Sequence, residues 1–198
     1  MSQTGPGDDD AQLMARYAKG DARAFELLYA RHKTWLYRVL LRNLRDETLA
    51  QDVFQDTWLT IVRTAHTYVP RAKFSTWLYG LARQRLIDVL RKQSAQPDLA
   101  ATAFNEEQDT DALEQMADLS APDPAQGVAW QQFGQALTQA LQDLPPQQRE
   151  VFVLWTEADL SVEEIAAVTQ QDAEATKSRL RYARAKLRRC LKAFEPVP

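Results

Sequence analysis

Apolar residues recur every three or four positions along most of this chain, the rhythm of helices that bury one face. Leu13, Met14 and Tyr17 begin it and predict a helix from Ala11 to about Gly20, where the glycine stops it and Asp21 caps the next. Leu28, Leu36, Leu40 and Leu44, with Tyr29, Trp35 and Tyr37 between them, predict a long helix from Phe25 with a wide buried face. A third helix is expected from about Asp46, where Leu49, Val53, Thr57 and Ile61 share a face that Phe54 and Trp58 broaden. Phe74, Leu78, Leu81, Leu86 and Val89 mark the core stripe of a fourth, running to about Lys92. No stretch before Gln93 keeps the period-two alternation of a strand for long.

Residues 94 to 127 lose this periodicity, gather Pro97, Pro122 and Pro124, and carry only acidic charge. The composition is that of a linker, in which Leu113, Met116 and Leu119 could support a short helix on binding. Small, polar and acidic residues 1 to 10 are expected to be disordered. The predicted fold is therefore all-α, with two small helical domains, 11 to 93 and 128 to 194, joined by an acidic flexible linker. In the second, Phe133, Leu137 and Leu141 lead into LPPQQREVFVLW, where Pro145 and Pro146 interrupt one helix and suit the first turn of the next.

The second domain closes on a helix-turn-helix pattern. Ser161 and Glu164 have capping-box spacing, and Ile165 and Val168 give the short helix after them an apolar face. Thr169-Gln170-Gln171-Asp172 breaks the pattern, and Asp172 is a good cap for a final helix. There Thr176, Leu180, Ala183, Leu187 and Leu191 keep one side, while Lys177, Arg181, Arg184 and Arg188 keep another. From Lys177 to Lys192 stand eight Lys or Arg and no acid, so like charges meet at i,i+4 and a polyanion would relieve them.

A formal charge of -3 over 198 residues hides this asymmetry. Between Gln93 and Gln148 there are nine acids and no base, and basic stretches flank them. Around the fourth helix Arg71, Lys73, Arg83, Arg85, Arg91 and Lys92 interleave with Tyr68, Phe74, Trp77 and Tyr79, a mixture that suits single-stranded nucleic acid as well as an ordinary core. The third helix has an opposite face of Gln51, Asp52, Gln55 and Asp56, suited to solvent or to a basic protein partner. Cys190 alone excludes an internal disulfide, and with only His32 and His66 the zinc spacings are absent. No glycine lies in a phosphate-cradling pattern. Neither a cofactor nor catalysis is expected. No apolar run approaches eighteen residues and the N-terminus has no signal character, so a cytoplasmic protein without membrane insertion is expected.

QDVFQDTWLTIVR, FSTWLYGLARQRLIDVLRK, LPPQQREVF and SVEEIAAVTQQDAEATKSRLRYARAKL, in that order, resemble a bacterial RNA polymerase sigma factor of the sigma-70 family, in its extracytoplasmic-function (ECF) group with only the second and fourth conserved domains. The resemblance implies a dissociable subunit that binds core RNA polymerase and directs initiation at promoters, under an anti-sigma factor. It places core polymerase on Asp52, Gln55 and Asp56. It places the -10 element, duplex and then melted, on Arg71, Lys73, Trp77, Tyr79, Arg83 and Gln84. It places the -35 element on Glu174, Lys177, Ser178, Arg181, Arg184 and Arg188. The linker would pass through the polymerase near the nucleic-acid channels. Two other readings of the same residues are a dimeric helix-turn-helix regulator and a helical protein-interaction module.

Overall fold

A computed structural model describes residues 6–95 and 124–194, and among these residues every regular element is a helix. The first unit holds α1 (Pro6–Tyr17), α2 (Ala22–Leu44), α3 (Glu47–Thr64) and α4 (Phe74–Ala95). The second holds α5 (Pro124–Gln142), α6 (Pro146–Glu157), α7 (Val162–Thr169) and α8 (Ala173–Cys190).

Local chemistry sets most of the boundaries. Gly20 takes φ +95°, a left-handed value that glycine adopts without strain, and Asp21 then caps α2 by accepting from the Ala24 amide. Asp46 does the same for α3 through the Leu49 amide. Pro145 stands at the cap of α6 and Pro146 opens it, where no amide hydrogen is needed. Leu28, Leu36, Leu40 and Leu44 are all buried, as are Val53, Thr57, Ile61, Phe74, Leu78 and Leu86, while Leu49, Leu81 and Val89 are only partly covered.

Three expectations change. Helix α1 begins at Pro6 rather than Ala11, and Asp10, placed by composition in a disordered tail, is 6% exposed. Its carboxylate accepts from Arg31 Nη1 at 2.6 Å and lies 2.8 Å from His32 Nε2, so an acidic residue is drawn inward by two partners on α2. Burial pushes this carboxyl up, and the hydrogen bonds of His32 and Arg31 together with the Arg31 charge outweigh it, leaving it below the ordinary value. Helix α4 extends to Ala95 and α5 begins at Pro124, so both reach into the span 94 to 127 read as linker. The short helix proposed around Leu113, Met116 and Leu119 lies outside the described residues.

The third change concerns the two units together. The second unit's core, built on Leu141, Leu144, Val151, Leu154, Ile165 and Leu180, also takes in Val39 of α2 and Tyr79 of α4, each 0% exposed. The units are thus packed on one another, α6 against α2 and α7 against α4.

Candidate polymerase and promoter interfaces

Helix α3 turns its apolar stripe into the first core and leaves Asp52 and Gln55 exposed, with Asp56 half-buried beside them. Arg85 of α4 donates to Asp56 Oδ2 through Nε at 2.8 Å and lies 2.7 Å from it through Nη2. One of the three residues is therefore tethered, and two are open. They border a cleft of about 250 Å³ between α3 and α4, whose wall includes Leu49, Leu59 and Lys92. Leu59 is 48% exposed, so the acidic face carries an apolar neighbour that composition alone did not single out.

The six residues assigned to the -10 element separate into two groups. Arg71, Lys73 and Gln84 are exposed, and Trp77 and Gln84, seven residues apart, share one side of α4. The Trp77 ring is half-covered, edge-on to Tyr68 at 4.7 Å and tilted against Phe74 at 5.6 Å between centroids. Below this loop opens a cavity of about 690 Å³ lined by Arg31, His32, Trp35, Arg71, Lys73 and Phe74 among others. Tyr79 and Arg83 face the other way. Tyr79 is wholly buried between the units and donates its hydroxyl to Glu150 Oε1 at 2.9 Å, and Arg83 Nε donates to the same oxygen at 2.7 Å. Burial first, and the Glu150 charge second, hold the Tyr79 phenol well above its ordinary range. In this arrangement neither Tyr79 nor Arg83 is open to a nucleic acid, which differs from the expectation for both.

The helix-turn-helix forms as its spacing predicts. Ser161 accepts from the Glu164 amide at 3.2 Å while Glu164 accepts from the Ser161 amide at 2.8 Å, closing the capping box at the start of α7. Gln170 makes the turn with φ +57°, and Asp172 caps α8 by accepting from the amides of Glu174 and Ala175. Thr176, Leu180, Ala183 and Leu187 are buried, whereas Leu191 lies past the helix end and is half-covered. Fixing that inner side orients the outer one. Glu174, Lys177, Arg181, Arg184 and Arg188 are exposed along it and Ser178 is half-buried among them. Lys177 bonds Glu174 at 2.9 Å, Arg181 lies over the Tyr182 ring at 5.2 Å, and Arg184 lies over Trp155 at the same distance. The result is a rigid helix presenting cations at i, i+4, i+7 and i+11.

With this geometry in place, comparison with known proteins is decisive. Residues 28–96 match Sigma-70 region 2 and residues 134–187 match Sigma-70, region 4. RNA polymerase sigma factor CarQ of Myxococcus xanthus is 33% identical over 92% of this chain and 97% of its own length. The chain belongs to the sigma-70 family. Its relatives place it in the ECF group: ECF RNA polymerase sigma factor SigM of Mycobacterium tuberculosis is 30% identical, covering 92% of this chain and 84% of the relative. The solved structure of CnrH in complex with the cytosolic domain of CnrY superposes with a TM-score of 0.62 at 27% identity, covering 93% of this chain and 98% of that one. The region 2 match thus runs from within α2 to the end of α4, and the region 4 match from within α5 to near the end of α8. A dimeric regulator would leave the first half of the chain idle, and the region 2 match removes that reading.

Sequence reasoning missed the acidic partners of the basic face: Glu150 for Arg83, Glu157 for Arg38 and Arg42, and Glu164 for Lys73. Their spacing of seven residues was visible, but nothing in a one-dimensional pattern says which surface such a row will meet. Among the described residues no group of His, Cys, Asp and Glu could hold a metal ion, and no helix is long and apolar enough to cross a membrane.

Proposed function

We propose that this ECF sigma factor binds core RNA polymerase through the Asp52, Gln55 and Asp56 face of α3 and directs it to promoters read at two points. The outer side of α8 enters the major groove at the -35 element, where Glu174, Lys177, Ser178 and Arg181 meet base edges and Arg184 and Arg188 hold phosphate. The exposed side of α4 and the loop before it, with Arg71, Lys73, Trp77 and Gln84, take the -10 element, joined by Tyr79 and Arg83 once the two units separate. The cavity of about 690 Å³ beside Arg71 and Lys73 has room for an unstacked base, and the partly covered Trp35 on its wall offers an aromatic ring.

The observation that carries the reading is the continuous exposed row Lys177, Arg181, Arg184 and Arg188 on a helix whose opposite side is locked into the second core. Any surface helix divides an apolar side from a polar one, and this one adds eight Lys or Arg with no acid from Lys177 to Lys192. Neither element binds tightly alone, and the polymerase scaffold joins them so that avidity supplies the affinity. The factor acts in the cytoplasm, has no reaction of its own, and is restrained by a protein antagonist, as the complex of CnrH with the CnrY cytosolic domain supports.

Run-off transcription with purified bacterial core polymerase on a genomic promoter library tests this. Starts should cluster downstream of a shared pair of spaced elements, and Arg181→Ala or Trp77→Ala should abolish most of them. Failure of core polymerase to bind the chain, or starts indifferent to both substitutions, would refute the assignment.

A further inference from the structure

One cation on the outer side of α8 is held from another helix. Arg184 lies over the ring of Trp155, on α6, with its guanidinium carbon 5.2 Å from the centroid. Each residue follows a fully buried one, Leu154 on α6 and Ala183 on α8, so the two meet at the rim of the core that these helices share. Trp155 itself is 39% exposed, and the core beneath it is closed by Val151, Leu154 and Ile165. Phe152, on the preceding turn of α6, sets its ring 6.4 Å away and tilted by 47°. The outer face of the tryptophan thus serves a cation more than it serves the core.

Arg184 stands in a row with Arg181 three residues before it and Arg188 four after, and no acid occurs from Lys177 to Lys192. Like charges at these spacings repel, and a long side chain left to itself spreads over many rotamers. A carboxylate would restrain it, at the cost of the charge and the N–H donors that a phosphate needs. An aromatic face attracts the cation through its quadrupole and leaves both in place. Among the described residues no carboxylate is bonded to Arg184, and the Trp155 ring is the partner it has.

We propose that Trp155 is a positioning residue of the -35 interface: it fixes Arg184 against α6, still charged and still able to donate, before DNA arrives. This rests on the assignment of Arg184 to DNA phosphate. The place of that phosphate contact is then set by the packing of α6 on α8, and not by a rotamer found on binding. Ordering a flexible side chain in advance lowers the entropy lost in association.

A double-mutant cycle tests this in holoenzyme assembled from the full chain and purified bacterial core polymerase, bound to a fluorescein-labelled promoter found by run-off transcription. Trp155→Leu and Trp155→Met keep apolar bulk without an aromatic face, Trp155→Phe keeps a ring, and Arg184→Ala removes the cation. Circular dichroism melts select the folded member of the first pair. Loss of the aromatic face should weaken binding about two- to fivefold, the scale of an exposed cation–π contact, and equally on promoters altered at single -35 bases. Trp155→Phe should restore most of that affinity. In the Arg184→Ala background the loss of the aromatic face should cost nothing further.

Salt gives a second readout. Arg184→Ala should lower the slope of log affinity against log salt by about 0.9, whereas loss of the aromatic face should leave the slope unchanged, because the phosphate contact is still made from a less ordered side chain. A loss as large in the Arg184→Ala background as in the wild type would overturn the proposal, by giving Trp155 a contact or a packing role of its own. Trp155→Phe binding as weakly as Trp155→Leu would overturn it too. Wild-type affinity and salt slope in Arg184→Ala would instead overturn the phosphate assignment, and the positioning role with it.

Discussion

Trp35 donates its indole N–H to Nδ1 of His32 across 2.9 Å, one turn apart on α2. Indole offers no acceptor, so the network assigns the imidazole proton to Nε2, which donates to Asp10 at 2.8 Å. A buried carboxylate on α1 is thereby fastened to a ring whose other nitrogen is already committed. Helix α1 holds its place on α2 through this relay and through Leu13 and Met14, both buried.

Asp10→Ala should cost about 1.5–3 kcal/mol in urea denaturation, the range for hydrogen bonds to a charged group. The same site predicts a pH dependence. Because the folded carboxyl lies below its ordinary value of 3.8, its stabilisation is fully present above that value and is lost as pH falls through the lower, folded one. Wild-type and Asp10→Asn stabilities should therefore converge in strong acid. Curves that stay parallel from pH 6 down to pH 2 would count against the relay.

At the start of α7 one carboxylate serves two ends. Glu164 accepts from the Ser161 amide and also meets Lys73 of the first unit at 3.1 Å. Its carboxyl is raised by burial and lowered further by the Ser161 amide and by Lys73, for a net position below the ordinary value. Ser161→Ala should destabilise the fold by about 1 kcal/mol, the usual worth of a cap. Glu164→Gln retains a capping acceptor and should change stability by less than about 0.5 kcal/mol, since an exposed ion pair contributes little. Equal losses in thermal melts of the two variants would show that the charge, not the cap, matters here.

The helices were legible because capping and periodicity are local. Asp21, Asp46, Ser161 and Asp172 each cap the helix that follows, and Thr176, Leu180, Ala183 and Leu187 are buried on the predicted side. Asp10 and Tyr79 were misplaced for a shared reason. Each is a polar or amphipathic residue whose burial depends on partners 22 and 71 positions away, His32 and Glu150, and no window of sequence contains both. Arg149 is a further case: 5% exposed inside the second unit, it donates to the Gln142 carbonyl at 3.4 Å, and burial first and the neighbouring Arg45 second lower its pKa to about 10. A charged residue in LPPQQREVF reads as surface until the end of α5 is folded over it.

The six residues on α8 should not behave alike. Arg181 lies in the half of the helix predicted to meet base edges, and Arg184 and Arg188 in the half predicted to lie on phosphate. Arg181→Ala should cost about 1–3 kcal/mol in holoenzyme binding to a -35 promoter and should relax preference at one base position. Arg188→Ala should weaken all promoters about equally and reduce the salt slope by about one. Filter binding across a salt series, repeated on promoters altered at single -35 positions, separates the two. A uniform loss for Arg181→Ala would place it on the backbone as well.

Polymerase binding should respond in opposite directions to two charges on the α3 face. Asp52 is exposed and, among the described residues, has no cation bonded to it, so Asp52→Arg should weaken core binding by about tenfold or more, or at least 1.4 kcal/mol. Asp56 is tethered by Arg85, and both side chains are about half exposed, at 46% and 55%. Loss of that bridge costs the fold little. Arg85→Ala should therefore strengthen core binding at low salt, because Asp56 no longer has to exchange one cation for another, and the gain should shrink as salt rises. Competition of each variant against labelled wild type for core polymerase, at 50 and 300 mM salt, measures both effects. Weaker binding by Arg85→Ala at low salt would mean that Arg85 itself touches the polymerase, and the acidic face would have to be redrawn to include it.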